Sequence, residues 1–185
     1  MKKALYIISF TLIISIGYCW YYFSQYHIED NRTAIQSNLK EWNNRGAGSN
    51  KPDVLEVVRL DDTSSYIVLY KTPSENLGYA HLIKGWNGRY KIQHTGEGDN
   101  IADYQKIQTN NGVYGVIVGK NPNLKIDHIK ADLYYGDFNI KSSVHSDEMF
   151  VRYKKIPSDI EEAFPAELTY YDKDGSVIEL SDLEK

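Results

Sequence analysis

The residues best suited to contact a ligand lie in one predicted hairpin at 81–94, with the sequence HLIKGWNGRYKIQH. Asn87-Gly88 is the strongest short signal for a tight β-turn, so Trp86 is expected at the hairpin tip between Lys84 and Arg89. An exposed indole beside cations can bind a sugar ring, a peptide or a membrane surface. The candidate binding residues are therefore Lys84, Trp86, Arg89 and Tyr90.

Trp86 also has a simpler interpretation as a core residue. Tryptophan side chains are highly buried on average, and only a minority lie exposed at a hairpin tip. The sequence therefore favours a Trp86 that folds back into the core over one that meets a ligand.

No constellation of catalytic or metal-ligating residues is visible in the sequence. It contains no P-loop, dinucleotide fingerprint, zinc-protease helix or nucleophile elbow. The five histidines include no pair at i, i+2 or i, i+4 spacing, and His81, on an alternating strand, is expected to face inward as a structural residue. The adjacent carboxylates Asp61-Asp62 and Glu161-Glu162 would point to opposite faces of a strand. We expect no catalytic residue, no metal, no cofactor and no enzymatic activity.

Residues 4–23, ALYIISFTLIISIGYCWYYF, carry no charge, and Lys2 and Lys3 precede them. Twenty helical residues rise about 30 Å, which matches the hydrocarbon core of a bilayer. The positive-inside rule would keep both lysines in the cytoplasm, and the aromatic residues at the far end are typical of the headgroup layer. The pattern predicts a single-pass signal-anchor in the cell membrane with an extracytoplasmic C-terminal domain. The predicted anchoring residues are Lys2, Lys3, Trp20, Tyr21 and Tyr22.

Two other interpretations of this segment stay open. Ser15-Ile16-Gly17 resembles a signal-peptidase site, although cleavage there would leave the sequence YCWYYF near the start of a soluble protein. Lipid modification of Cys19 would require a small residue before it, where the sequence has Tyr18.

Composition limits the partners of the remaining chain. The 185 residues include 21 basic and 25 acidic side chains, and both lysines assigned to the cytoplasm are basic, so the outer part is acidic and nucleic acid is not an expected partner. Cys19 is the only cysteine, which leaves the outer part without a disulfide. Sixteen tyrosines against five phenylalanines are typical of β-sheets, and a tyrosine-rich ligand surface is the second interpretation.

Apolar spacing predicts one helix over 28–44, followed by a break at 46–53 and then strands only. The fold class is therefore mainly β. We predict a cytoplasmic stub and anchor at 1–26, a juxtamembrane helix and linker at 27–50, a β-meander at 51–110, and an immunoglobulin-like β-sandwich at 111–185.

The C-terminal half resembles a known group of proteins. Its strings are YGVIVGKNPNLKIDHIKADL, DEMFVRYKKIP and LTYYDKDGSVIEL. They are similar to the C-terminal β-domain of small, uncharacterised membrane-anchored proteins from low-GC Gram-positive bacteria. The resemblance implies an extracytoplasmic β-domain and transfers no catalytic residue.

These observations predict a binding or scaffolding protein of the bacterial cell envelope. Its partners would be the lipid bilayer and an envelope protein or cell-wall polymer. The alternatives are a cell-wall hydrolase whose carboxylates meet only in the folded chain, and an accessory sensor of an envelope stress system.

Overall fold

The computed structural model describes residues 2–44 and 52–183. Within these ranges the protein is mainly β, with antiparallel sheets and an apolar N-terminal helix, as the sequence predicts. The helices are α1 (Lys2–Gln25), α2 (Arg32–Asn43) and α3 (Leu180–Leu183), with a 3₁₀ turn at Pro122–Leu124. The strands are β1 (Asp53–Arg59), β2 (Ser65–Lys71), β3 (Leu77–Lys84), β4 (Tyr90–Gly98), β5 (Ala102–Thr109), β6 (Gly112–Lys120), β7 (His128–Leu133), β8 (Asn139–Ser143), β9 (Met149–Lys155) and β10 (Ala166–Tyr171).

In the part of the chain that the structure describes, the strands form three antiparallel sheets. Sheet A has the order β1-β2-β3-β4, sheet B the order β5-β6-β9, and sheet C the order β10-β7-β8. The domain boundary predicted after residue 110 falls in the turn between β5 and β6, which pair along their lengths. Strand β5 therefore belongs to the same sheet as later strands.

The sheets stack into layers. Sheets B and C share a buried core that includes Tyr104, Ile129 and Phe150. Sheets A and B share a second core, and the helix α2 packs Ile35 and Leu39 into a third core on sheet A. The layer order is therefore α2, sheet A, sheet B and sheet C.

The helix α2 is shorter than the predicted 28–44 segment. It begins at Arg32 because the side-chain oxygen of Asn31 accepts a hydrogen bond of 2.8 Å from the Ala34 amide, which is an N-cap. Ile28 instead pairs with Tyr90 through two backbone hydrogen bonds, and this pairing requires an extended backbone at Ile28. Most of the predicted break at 46–53 lies outside the described residues.

The chain after β10 turns back and pairs with it at one bridge, between Tyr171 and Val177. The side chain of Asp172 accepts hydrogen bonds from the backbone of Asp174 and Ser176 and closes a tight turn there.

The tyrosine-rich composition is explained by the sheets, as predicted. Six strand tyrosines are buried in the cores: Tyr70, Tyr79, Tyr90, Tyr104, Tyr114 and Tyr170. His81 is also buried, as predicted, and its Nε2 lies 3.0 Å from the Ser65 hydroxyl.

Antiparallel pairing divides the turns between two ends of the stack. The "hairpin end" carries the turns 60–64, 85–89 and 110–111, and the Ser64 amide donates to the Asn110 side chain at 2.9 Å there. The "opposite end" carries the connections 99–101, 121–127 and 144–148, where the Asn121 amide donates to the Glu148 carbonyl at 2.7 Å.

Candidate functional site

The tip of the β3–β4 hairpin holds the C-terminal end of α1. The Tyr22 ring is stacked between two aromatic rings, with centroids 4.5 Å from Tyr26 and 4.8 Å from Trp86. Phe23 meets the edge of Trp86 with centroids 5.5 Å apart. Together, Tyr22, Phe23, Tyr26 and Trp86 form an aromatic cluster, the "clasp".

Backbone hydrogen bonds fix the clasp. The Trp86 amide donates to the Tyr22 hydroxyl at 2.7 Å, and the Asn87 side-chain amide donates to the Tyr26 carbonyl at 2.9 Å. A Cβ at Gly85 would press on the Tyr22 hydroxyl and lie 2.7 Å from Tyr26 Cδ1. Only glycine allows this approach between hairpin and helix.

The segment after α1 is joined to the hairpin by Asp30. Its carboxylate accepts a hydrogen bond of 2.6 Å from Lys84 Nζ and one of 2.8 Å from the Tyr90 hydroxyl. The hydrogen bond from Lys84 lowers the pKa of the Asp30 carboxyl, and partial burial opposes that shift. Burial, followed by the hydrogen bond to Asp30, raises the pKa of the Tyr90 phenol. Both interactions favour the Asp30 carboxylate over the acid.

The other cations of the hairpin also face this segment. Arg89 lies 3.7 Å from a Glu29 carboxylate oxygen, and both side chains are about half exposed. Lys91 Nζ lies 5.2 Å from the centroid of the Tyr26 ring, at cation–π distance. The positive charges of the hairpin are thus partly neutralised by the chain's own acidic and aromatic residues.

The structure brings the four candidate binding residues together, with the segment 22–30 as their partner. Trp86 is 71 % exposed, so its interpretation as a core residue is wrong; the tip extends past the sheet A core and meets α1 instead. Tyr90 is 1 % exposed, which corrects its prediction as a contact for an external ligand. Lys84 and Arg89 are ion-paired within the chain.

The predicted anchoring residues all lie on α1. Trp20 and Tyr21 are exposed, and Lys3 is exposed near the start of the helix that Lys2 begins. Tyr22 is half-buried because it is the aromatic residue of α1 that contacts the hairpin amide. The sequence signal for this contact is the i, i+4 spacing of Tyr22 and Tyr26, which places both rings on one helix face.

The contacts of α1 show which way it leaves the domain. A cavity beside the first residues of β4 is lined by Ser24, Gln25 and His27 together with Asn38, Lys91 and Ile92. Tyr22, nearer the start of the helix, contacts Gly85 and Trp86 at the hairpin tip. The helix therefore runs outward past the hairpin end. Tyr6–Gln25 is long and apolar enough to cross a membrane, and none of its candidate span is buried.

One cavity lies at the opposite end. It has a volume of about 700 Å³ and mixes polar and apolar side chains: Asp99, Lys120, Asn123, Leu124, Glu148 and Met149. A second cavity of about 430 Å³ adjoins it and shares Leu124. Both volumes lie within the range typical of ligand pockets.

Leu124 stands between these cavities in an unfavourable conformation. Its φ angle is +53° and that of Asn123 is +54°, in the left-handed region where side chains other than Gly, Asn and Asp are rare. The Leu124 side chain is nevertheless 48 % exposed. The fold thus holds an apolar side chain at the rim of two cavities at a conformational cost, as is typical of functional loops.

A buried asparagine supports this loop. Asn121 is 2 % exposed, and its side-chain amide donates to the carbonyls of Ile126 and Val144 at 2.8 and 2.9 Å. Its side-chain oxygen accepts from the Ile126 amide at 2.8 Å. These bonds close the 121–126 loop and fix the position of Leu124.

Over residues 2–44 and 52–183, no group of three or more His, Cys, Asp and Glu side chains is placed to hold a metal ion. No protein-family model, curated protein or solved structure matches the chain. The resemblance of the C-terminal half therefore stays a prediction.

Proposed function

We propose that this chain is a single-pass membrane protein whose extracytoplasmic β-domain binds or scaffolds an envelope component through the end opposite the hairpin. The observation that carries the proposal is the clasp, which joins an apolar helix of spanning length to sheet A at a defined angle. A flexible tether needs no such contacts. The β-domain is instead held in one orientation.

That orientation favours the opposite end as the binding face. Because α1 leaves past the hairpin end, the loops 99–101 and 121–127 point away from the bilayer. The two adjoining cavities and the exposed Leu124 lie there. An envelope protein or a cell-wall polymer is the class of partner that meets such a face. The two stacked three-stranded sheets B and C support an immunoglobulin-like sandwich as the carrier of this face.

Topology is tested with the full chain expressed in a Gram-positive host. We expect the protein to stay in the membrane pellet after alkaline carbonate extraction, and protease added to protoplasts to degrade the β-domain. Intact mass of the membrane form should equal that of the uncleaved, unlipidated chain. A soluble product beginning after Gly17 would show a cleaved signal peptide and end the anchoring proposal.

The binding face is tested by site-specific photo-crosslinking in intact cells. A photoreactive amino acid at Asn123 should give adducts that the Leu124→Asp change abolishes. The same amino acid at Asp62, on the exposed hairpin-end turn, is the matched control and should give none of these adducts. Equal adducts from both positions would contradict a binding face at the opposite end.

A cell-wall hydrolase is the second candidate, because Asp99 and Glu148 line the same cavity. Two carboxylates about 5–10 Å apart across a substrate site are the requirement of glycoside hydrolysis. Release of soluble muropeptides from purified cell walls, lost in Glu148→Gln, would establish this activity. No release by the wild-type protein would leave the binding function in place.

A further inference from the structure

The hairpin tip is placed to touch the bilayer that α1 would cross. We propose that the indole of Trp86 lies at the outer boundary between headgroups and acyl chains and forms a second membrane contact, which sets the tilt of the β-domain. This inference rests on the proposed anchoring, since the depth of Trp86 is fixed relative to α1.

The depth follows from the length of the helix. Tyr6–Gln25 spans 20 residues, which is about 30 Å of helix and fills the hydrocarbon core. Tyr22 lies three residues before the end of that span, about 4.5 Å inside it by helical rise. The Trp86 ring is 4.8 Å from the Tyr22 ring, so the depths of the two rings differ by 4.8 Å at most. Trp86 therefore falls at the boundary between acyl chains and headgroups.

The chemistry of Trp86 suits that boundary. Its side chain is 71 % exposed although two rings of α1 touch it. A wide apolar indole with one polar N–H is most stable where one side is apolar and the other wet. Tyr18, Trp20 and Tyr21, on the last turns of α1, are exposed as well.

Charge plays a minor part in this contact. Lys84 is paired with Asp30 and Arg89 with Glu29, so the cations beside Trp86 are already partly neutralised. An electrostatic membrane contact would need unpaired basic residues and anionic lipid. We therefore expect Trp86 to enter the headgroup layer of zwitterionic phosphatidylcholine.

Fluorescence quenching measures the depth directly. The chain has three tryptophans, so Trp20→Phe with Trp42→Phe leaves Trp86 as the single reporter. The full-length variant is placed in phosphatidylcholine nanodiscs. We expect strong quenching by lipid carrying a nitroxide on the headgroup or bromine near the top of the acyl chain, and at least threefold weaker quenching by aqueous iodide than for a control reporter.

The control reporter lies at the opposite end. Val177 is 58 % exposed beside the last residue of β10, and Val177→Trp combined with Phe at all three native tryptophans gives one indole away from the hairpin. Its emission should be quenched by iodide and not by the lipid quenchers. Equal iodide quenching of the two reporters, in protein that resists carbonate extraction, would overturn the Trp86 proposal and leave the anchoring intact. Extraction by carbonate would overturn both.

A nitroxide label provides a second measurement that keeps every native tryptophan. Cys19→Ser with Arg89→Cys places the label beside the tip, at a side chain in an exposed ion pair. Greater accessibility to oxygen than to a water-soluble nickel chelate supports the membrane contact. The reverse order contradicts it.

Discussion

The Tyr90 hydroxyl donates a hydrogen bond of 2.8 Å to the carboxylate of Asp30, across a separation of 60 residues. Tyr90 is a core residue of sheet A, and Asp30 lies in the segment between α1 and α2. This bond therefore joins the folding of the β-domain to the position of the predicted membrane helix. It acts with the backbone bridge between Ile28 and Tyr90.

Replacing Asp30 with alanine should destabilise the domain. The Tyr90 hydroxyl and Lys84 would lose their shared acceptor, and a lost hydrogen bond to a charged group costs about 1.5–3 kcal/mol. The free energy of unfolding of the full chain in detergent, from urea titration followed by near-UV circular dichroism, measures the change. Glu29→Ala removes the exposed pair with Arg89 and a long, exposed hydrogen bond of 3.4 Å from the Asn31 side chain, and should change stability by less than about 0.5 kcal/mol. Equal losses in both variants would contradict the special role of Asp30.

Stability should fall in mild acid because of His81. Burial, with smaller effects of His94 and Lys91, lowers the pKa of His81 from 6.5 to about 4. As the pH falls, the unfolded chain binds this proton first. The contribution of neutral His81 to the free energy of unfolding is therefore fully present above about pH 6.5 and is lost as the pH falls towards 4. The loss expected at pH 5 is about 2 kcal/mol. The neighbouring His94, whose pKa is also lowered by burial, acts in the same direction.

The variant His81→Gln tests the assignment. Glutamine keeps a hydrogen-bonding group towards Ser65 and does not titrate. Urea midpoints at pH 7 and pH 5 should lie closer together for this variant than for the wild-type protein. An unchanged difference between the two midpoints would assign the acid sensitivity to other groups.

Gly85→Ala should open the clasp without unfolding sheet A. The new methyl group would collide with Tyr22 and Tyr26, at the contact that seats α1 on the hairpin. Hydrogen exchange at the Ile28 and Tyr90 amides should become at least tenfold faster, since their mutual bridge lies next to the clasp. Gly98→Ala is the matched control at the other end of β4, where a Cβ meets no atom closer than 3.6 Å. Protection of these amides should be unchanged there.

Local signals in the sequence located most of the strands. Asn87-Gly88 predicts the β3–β4 hairpin, and the apolar pattern after the break predicts a chain made mainly of strands. The sheet to which a strand belongs could not be predicted, because pairing partners depend on contacts between distant residues. The boundary predicted after residue 110 coincides with the turn at Asn110-Asn111, which joins two strands of sheet B.

For the same reason, only the hairpin half of the candidate site could be predicted from the sequence. The sequence predicted Lys84, Trp86 and Arg89 at one tip, and could not show that their partners are Asp30, Tyr22 and Glu29. The sequence contains no signal for the conformation of Leu124. Its left-handed backbone conformation results from the hydrogen bonds of Asn121 around the loop and not from the propensity of leucine.

Asn121 should be among the most sensitive residues of the opposite end. Asn121→Leu removes a side chain that satisfies three buried backbone groups, and each unsatisfied group costs about 1–3 kcal/mol. We expect a loss of at least about 3 kcal/mol in the urea titration, given that the loop can relax partly towards water. Asn139→Ala, at an exposed position of β8, is the control and should change stability by less than about 0.5 kcal/mol. A loss below 1 kcal/mol for Asn121→Leu would contradict its structural role.

Variants of Leu124 separate the conformational cost of the 121–127 loop from its role in binding. Glycine adopts a φ of +53° without strain, whereas alanine retains most of the penalty, so Leu124→Gly should be more stable than Leu124→Ala by about 1 kcal/mol. At Leu180, similarly exposed but at the start of α3, the order should reverse because alanine is the better helix former. Both Leu124 variants should lose the crosslinks formed from Asn123, since both lack the apolar side chain shared by the two cavities. If the glycine variant gains stability and loses the crosslinks to its partner, Leu124 is kept for binding. If the glycine variant keeps the crosslinks, the strained turn serves only the structure of the loop.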